Sequence, residues 1–161
     1  MGSSMRLSAV AIGVAAALFG SSAFAAETVT VTLSERADMP MMMNMGIGMD
    51  GDPAMGMLAL TADVATVKAG EVTFNVTNLS TTMEHEMVVI PLADADTPPA
   101  YNAEEMAIDE DAAGAIGEVS ELAPGATGTV TLKLEPGTYL LVCNLPDHYA
   151  SGMWTILIVE P

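Results

Sequence analysis

From residue 27 the chain alternates: Val29, Val31 and Leu33 fall on one side, Thr28, Thr30 and Thr32 on the other. This period of two marks a half-buried strand, here an edge or opening strand. Regular pattern resumes at Leu58-Ala59-Leu60 and over residues 64–67. After a turn at Lys68-Ala69-Gly70-Glu71 comes a clean alternation over 72–78, then a loop over 79–84 and a Val/Ile-rich strand over 86–90. Residues 91–117 hold Pro98-Pro99, Ala103-Glu104-Glu105-Met106 and the acidic run Asp109-Glu110-Asp111. They read as a short helix, on which Met106 packs, with solvated acidic turns. Pro124-Gly125 and Pro136-Gly137 mark turns around a strand in which Val130, Leu132 and Leu134 alternate with Thr129, Thr131 and Lys133. A strand over 139–143, a loop over 144–153 and a closing strand over 154–159 finish the chain. About seven short strands with turn signals and little helix predict an all-β antiparallel sandwich.

Between the first strand and the second the pattern dissolves. Residues 39–57 are mostly Met, Gly, Asp, Asn and Pro, with eight thioethers at Met39, Met41, Met42, Met43, Met45, Met49, Met55 and Met57. Such a composition predicts no regular element, and the segment reads as a flexible insertion. Two uses are open to it: soft thioethers select copper(I), and methionine also serves as an adaptable cover for apolar surface.

The N-terminus changes the picture of location. Arg6 precedes an apolar stretch over residues 10–19, and Ala23-Phe24-Ala25 supplies a small-x-small cleavage pattern, so residues 1–25 read as an export signal. The apolar stretch is short of the roughly 20 residues a membrane span needs, and neither a twin arginine nor a cysteine after the cleavage site is present. The domain plan is a signal at 1–25, an N-terminal strand with the methionine-rich segment at 26–57, and the main domain at 58–161. The mature chain holds three basic residues, Arg36, Lys68 and Lys133, against 21 acidic ones, a net charge of −18. That acidity repels nucleic acid and anionic membranes and suits either solubility or a soluble partner with a basic docking surface. The chain is expected to be periplasmic or secreted and monomeric.

With one cysteine, no internal disulfide is possible, and a lone thiol in an oxidising compartment is a liability unless it binds metal. Cys143, His148 and Met153 stand in a Cys-x4-His-x4-Met run, and the other histidine, His85, lies upstream before a strand. Thiolate, two imidazoles and a weak thioether make a ligand set for one mononuclear copper. Zinc takes thioether poorly and its structural sites favour more thiolates. A dinuclear copper centre needs two cysteines, oxidases need further histidines, and a cysteine hydrolase leaves His85 and Met153 unexplained. No enzyme reading fits. Leu145, two residues past the thiolate, offers its N–H to it, and the imidazole edge of His148, flanked by Tyr149, Ala150 and Gly152, reads as the electron port. Met83 and Met87, two positions either side of His85, read as core.

The segments 71–78, Glu84-His85-Glu86 and 136–148, with Met153, resemble the cupredoxins of the plastocyanin and azurin type, over about residues 58–161, and more narrowly small periplasmic copper-binding proteins of that group. The resemblance implies a Greek-key β-sandwich with copper near one end, held by His85 from one loop and by Cys143, His148 and Met153 from another. Many relatives carry Asn after the upstream histidine to tie the ligand loops together. Here Glu86 stands instead, which takes that side-chain tie away and bears on the rigidity of the loops, though a backbone N–H donated to the thiolate needs no particular side chain. The function implied is a type 1 (blue) copper protein passing single electrons to and from a redox protein. The alternative is copper storage, delivery or resistance, with extra copper(I) bound at 39–57.

Overall fold

Strands form where the sequence alternates, and they stack as two sheets. The computed structural model describes residues 26–36 and 38–161, so the export signal read at 1–25 lies outside the described residues. In chain order the strands are β1 (Glu27–Glu35), β2 (Leu58–Ala62), β3 (Thr66–Lys68), β4 (Gly70–Asn78), β5 (His85–Leu92), β6 (Tyr101–Asn102), β7 (Ala107–Ile108), β8 (Gly117–Leu122), β9 (Thr127–Leu134), β10 (Gly137–Val142) and β11 (Trp154–Glu160). One sheet has the order β2-β1-β4-β9, the other β3-β11-β10-β5-β8, and β6 and β7 pair as a small ribbon.

The all-β sandwich expected from the sequence is present, with two differences. β1 lies inside its sheet, not at an edge, and runs parallel to β4 from Glu27 opposite Val72 to Leu33 opposite Asn78. β3 is likewise parallel to β11, so the sandwich is mixed, not wholly antiparallel. Val29, Val31, Leu33, Val72, Phe74 and Val76 of the first sheet pack against Met87, Val89, Leu141 and Leu157 of the second. The second sheet is covered on its outer side too: Val88, Ile90, Leu140 and Val142 join Ile47, Ile108 and Tyr149 in a second apolar cluster. Burial on both faces is why β5 and the end of β10 read as continuous apolar runs and not as alternations.

The helix sits one step later than the sequence suggests. It spans Glu110–Ala113, because Asp109 caps it by accepting the Ala112 N–H, its two acids favour the first turn, and Gly114 ends it in the left-handed conformation. Upstream, Asn102 Oδ1 accepts the N–H groups of Glu104 and Glu105, which commits 102–105 to a turn. Met106 is therefore an exposed turn residue at φ 56°, not a helix-packing one.

Candidate metal centre

His85 is the first residue of β5 and Cys143 directly follows β10, so the register that places Val142 opposite Val88 brings the two side chains to one end of the sheet. Between His85 and Met87 the ladder to β8 is broken by a bulge. A bulge leaves a residue out of the regular pairing, and the Glu86 N–H donates to Cys143 Sγ at 3.4 Å instead. The Asn144 N–H returns the contact by donating to Glu86 Oε1 at 3.1 Å. The tie between the ligand loops is thus reciprocal, and Glu86 supplies it in place of Asn: its carboxylate accepts where an amide oxygen could.

The loop after Cys143 is wound by its own backbone. His148 N–H donates to Leu145 O, Ser151 N–H to Asp147 O, Gly152 N–H to Tyr149 O and Met153 N–H to His148 O, all within 3.0 Å. Cys143 N–H donates to Met153 O at 3.0 Å, closing the loop at its base. Asp147 at φ 71° and Gly152 at φ 88° take the two left-handed positions. Asp tolerates that region, whereas at 152 a side chain would also meet the backbone of Pro53 at 3.0 Å.

The result is a cluster of three donors. His85 Nδ1 and His148 Nδ1 are 3.3 Å apart, and Cys143 Sγ lies 3.2 Å from His148 Nδ1 and 3.9 Å from His85 Nδ1. All three residues are buried. A point equidistant from the three atoms is about 2 Å from each, the length of a metal–imidazole bond and slightly short for metal–thiolate. Burial pushes the Cys143 thiol up to about 12, opposed by the N–H groups of Glu86 and Leu145, the latter as the sequence suggests. Burial and the neighbouring His85 push His148 down to about 4. Burial lowers His85 as well, against the pull of Glu35. Two buried imidazoles thus bring their Nδ1 atoms up to one sulfur, a donor set that suits a soft cation. Met153 is fully buried beside Cys143 in the main core, with its backbone bridging Cys143 and His148.

Two surroundings differ from the sequence reading. Tyr149, Ala150 and Gly152 do not form an exposed apolar rim; they are buried, and His148 keeps 7% of its surface. What covers them is the methionine-rich segment. Met45 N–H donates to Ala150 O at 2.8 Å, Ile47 N–H to Tyr149 Oη at 2.7 Å, and Trp154 Nε1 to Met45 O at 2.7 Å. Met45 and Ile47 are buried, while Met41, Met42, Met43 and Met55 are exposed. Met87 is core and Met83 packs against it, as read.

Asn144 and Glu35 were not legible as site residues. Asn144 Oδ1 accepts the Ile108 N–H at 2.7 Å, and its Nδ2 donates to Ile108 O at 2.9 Å and to Glu110 Oε1 at 2.8 Å. It fastens the 101–113 connection, acidic run included, to the ligand loop. Its only signal was an amide at a strand end, which a turn would explain equally. Glu35 lies 3.6 Å from His85 Nε2 and had no signal at all, because it reaches the site from β1.

Among known proteins, the family model of copper binding proteins of the plastocyanin/azurin family matches residues 47–160. Auracyanin-B of Chloroflexus aurantiacus is 40% identical over 52 residues, 32% of this chain and 22% of that protein. A solved structure of auracyanin B superposes with a TM-score of 0.54 at 24% identity, covering 84% of this chain and 90% of that one. Rusticyanin from Thiobacillus ferrooxidans gives 0.51 at 19% identity, covering 85% and 80%. At those identities the structural likeness speaks to the fold, while the family match spans most of the chain. With the His-Cys-His cluster inside the matched span, the chain belongs to the plastocyanin/azurin family of copper binding proteins.

Proposed function

We propose that the chain is a one-electron carrier, not an enzyme, working outside the cytoplasm with a single copper ion that His85 Nδ1, Cys143 Sγ and His148 Nδ1 would hold, and to which the Met153 thioether would add a weak fourth donor. The observation that carries this reading is the buried three-donor cluster, whose ligand atoms all lie within 4.8 Å of one another. Copper in such a site alternates between its two oxidation states and owes a strong visible colour to the thiolate. The protein's part is to hold the donors still. Cys143 is gripped through its sulfur by Glu86 N–H and through its own N–H by Met153 O, and the next residue, Asn144, is held by four hydrogen bonds. Donors fixed in this way cannot follow the geometry each oxidation state would choose for itself, which keeps the cost of electron transfer low.

A basic redox partner fits the charge. Glu105, Asp109, Glu110 and Asp111 line a hollow that reaches Asn144, the residue next to the thiolate. Long-range attraction of a positive partner to such a face speeds encounter. The export signal read at 1–25 supports a location outside the cytoplasm, and among the described residues no helix is long and apolar enough to cross a membrane. The copper-handling alternative gains no support from the structure of 39–57, since Met45 is spent on packing and Met49 Sδ on the Gly46 N–H.

The test is colour. Loaded with copper(II), the protein is expected to be intensely blue or green, and Cys143→Ser to lose that absorption entirely while the fold persists by circular dichroism. A colourless copper(II) form of the unaltered protein would sink the assignment.

A further inference from the structure

His85 presents two ring nitrogens to very different surroundings. Nδ1 faces Cys143 and His148. Nε2 is fully buried and has no hydrogen-bond partner among the described residues, and the nearest carboxylate oxygen is Glu35 Oε1, at 3.6 Å. A neutral imidazole carries one N–H, so if Nδ1 gives its lone pair to a metal, the proton must sit on Nε2. The carboxylate oxygen beside that nitrogen is Glu35 Oε1, 3.6 Å away.

Glu35 is itself held in place. Ser80 Oγ donates to the same Oε1 at 2.5 Å. Ser80 is buried, and its Oγ accepts the N–H groups of Thr82 at 3.0 Å and Met83 at 2.7 Å, so its one hydroxyl proton is free only for Glu35. Asn78 fixes the same turn by accepting Ser80 N–H and donating to Met83 O and Leu122 O. The turn that leads into His85 is therefore built around a serine whose proton locates a carboxylate beside the ring. Glu35 ends β1, upstream of the span matched by the family model.

We infer that Glu35 is the outer carboxylate of the metal centre: it accepts the Nε2–H of His85, fixes Nδ1 as the ligating atom, and by its negative charge favours the more positive oxidation state of the bound ion. This rests on the copper reading above. The present separation is a few tenths of an ångström beyond a hydrogen bond. Ligating histidines characteristically donate their second N–H to a carboxylate or carbonyl, which orients the ring and raises its basicity. No other acceptor reaches Nε2 among the described residues. As a positioning residue Glu35 touches no metal, so its effect should appear in the balance between oxidation states and not in the presence of the site.

The experiment compares copper-loaded wild type, Glu35→Gln and Ser80→Ala by visible absorption and by redox titration. Glu35→Gln keeps shape and an acceptor oxygen but removes the charge. It is expected to retain the thiolate absorption and to lower the ratio of copper(II) to copper(I) affinity about tenfold, a rise of about 59 mV for a one-electron couple. Ser80→Ala is expected to move the ratio the same way by less, because the carboxylate stays but loses its anchor. In the reduced, diamagnetic protein, Glu35→Ala should speed solvent exchange of the His85 ring N–H. An unchanged affinity ratio in Glu35→Gln overturns the inference; should that variant not fold, an unchanged ratio in Ser80→Ala does the same. Failure of the copper reading is a separate outcome, seen as a wild type that shows no thiolate absorption.

Discussion

The ligand loop, residues 143–153, and the methionine-rich segment, residues 39–57, lie against each other but are held by opposite means. The loop is stitched by short-range backbone hydrogen bonds and closes on itself through Cys143 and Met153. The segment has one short 3-10 turn, Pro53–Met55, and a few local bonds, Met49 N–H to Gly46 O and Gly51 N–H to Asn44 O, and is otherwise fastened by what lies beside it: the Arg36 guanidinium donates to the carbonyls of Pro53, Ala54 and Gly56, and Tyr149 and Trp154 engage Ile47 and Met45. A loop that carries its own hydrogen bonds can keep donor atoms in register. A segment fastened largely from outside is suited to covering. The contrast assigns geometry to one region and shielding to the other.

The largest effect expected comes from cutting the contact between them. Tyr149 is almost fully buried, its ring lies where a Cβ at Gly46 would approach to 2.6 Å, and its hydroxyl oxygen accepts the Ile47 N–H. Tyr149→Ala leaves a cavity and an unsatisfied N–H, a loss of about 3–5 kcal/mol. Urea unfolding measures that loss, and limited proteolysis shows where the chain opens. Cleavage should move into 39–57 while the copper(II) colour stays. Loss of colour together with stability would mean that the loop also leans on the segment, and the contrast would fail.

The second effect lies wholly on the ligand side. Glu86 is raised from its usual value to about 7, first by burial and then by Glu110, Glu118 and Glu121, with the Asn144 N–H opposing. The folded protein thus holds this proton more tightly than the unfolded chain. Its contribution is complete below the unfolded value near 4.5 and is lost as pH rises through 7. Glu86→Gln keeps an oxygen for Asn144 and removes the ionisation. The metal-free variant should be more stable than wild type at pH 8 by on the order of 2 kcal/mol, with the difference vanishing at pH 4. Equal urea midpoints at both pH values would show that the carboxyl ionises without cost where it sits.

The same contrast explains what the sequence could tell. The candidate donors of the loop and their spacing were legible because ligand chemistry restricts residue type, and β4, β9 and β10 were legible because one or both faces are buried or half-buried in regular order. β8 escaped notice: only Val119 and Leu122 of its residues are buried, three positions apart, which matches no strand period. Glu35, Asn144 and the hydroxyl contact of Tyr149 escaped because each acts across a long sequence separation, and no local pattern records such contacts. The methionine-rich segment reads in the sequence as a flexible insertion without regular pattern; in the structure it has only the short Pro53–Met55 turn and is docked on its neighbours. Its docking over the loop depends on two buried side chains, Met45 and Ile47, set among exposed ones, a pattern without period.

The smallest effect expected concerns the thioethers. Eight methionines in nineteen residues invite a copper(I) site, but the structure divides them. Met45 is buried, Met49 Sδ accepts the Gly46 N–H at 3.3 Å, and Met43 Sδ accepts from Ser151 Oγ at 3.3 Å. Of the exposed ones this leaves Met41, Met42 and Met55 without such a role. A thioether is a neutral, soft donor, so several must converge to hold copper(I), and ordering long exposed side chains around an ion costs conformational entropy for each. Segments committed to covering Tyr149 and Ala150 are not free to regroup around a metal as well. Titration of the reduced protein with copper(I), against a competing chelator, should therefore give one equivalent per chain, and the triple change Met41→Leu, Met42→Leu, Met55→Leu should leave that number and the copper(II) colour as they were. A second equivalent that disappears with the three thioethers would reverse the assignment, making the cover a binding site and the chain a copper-handling protein.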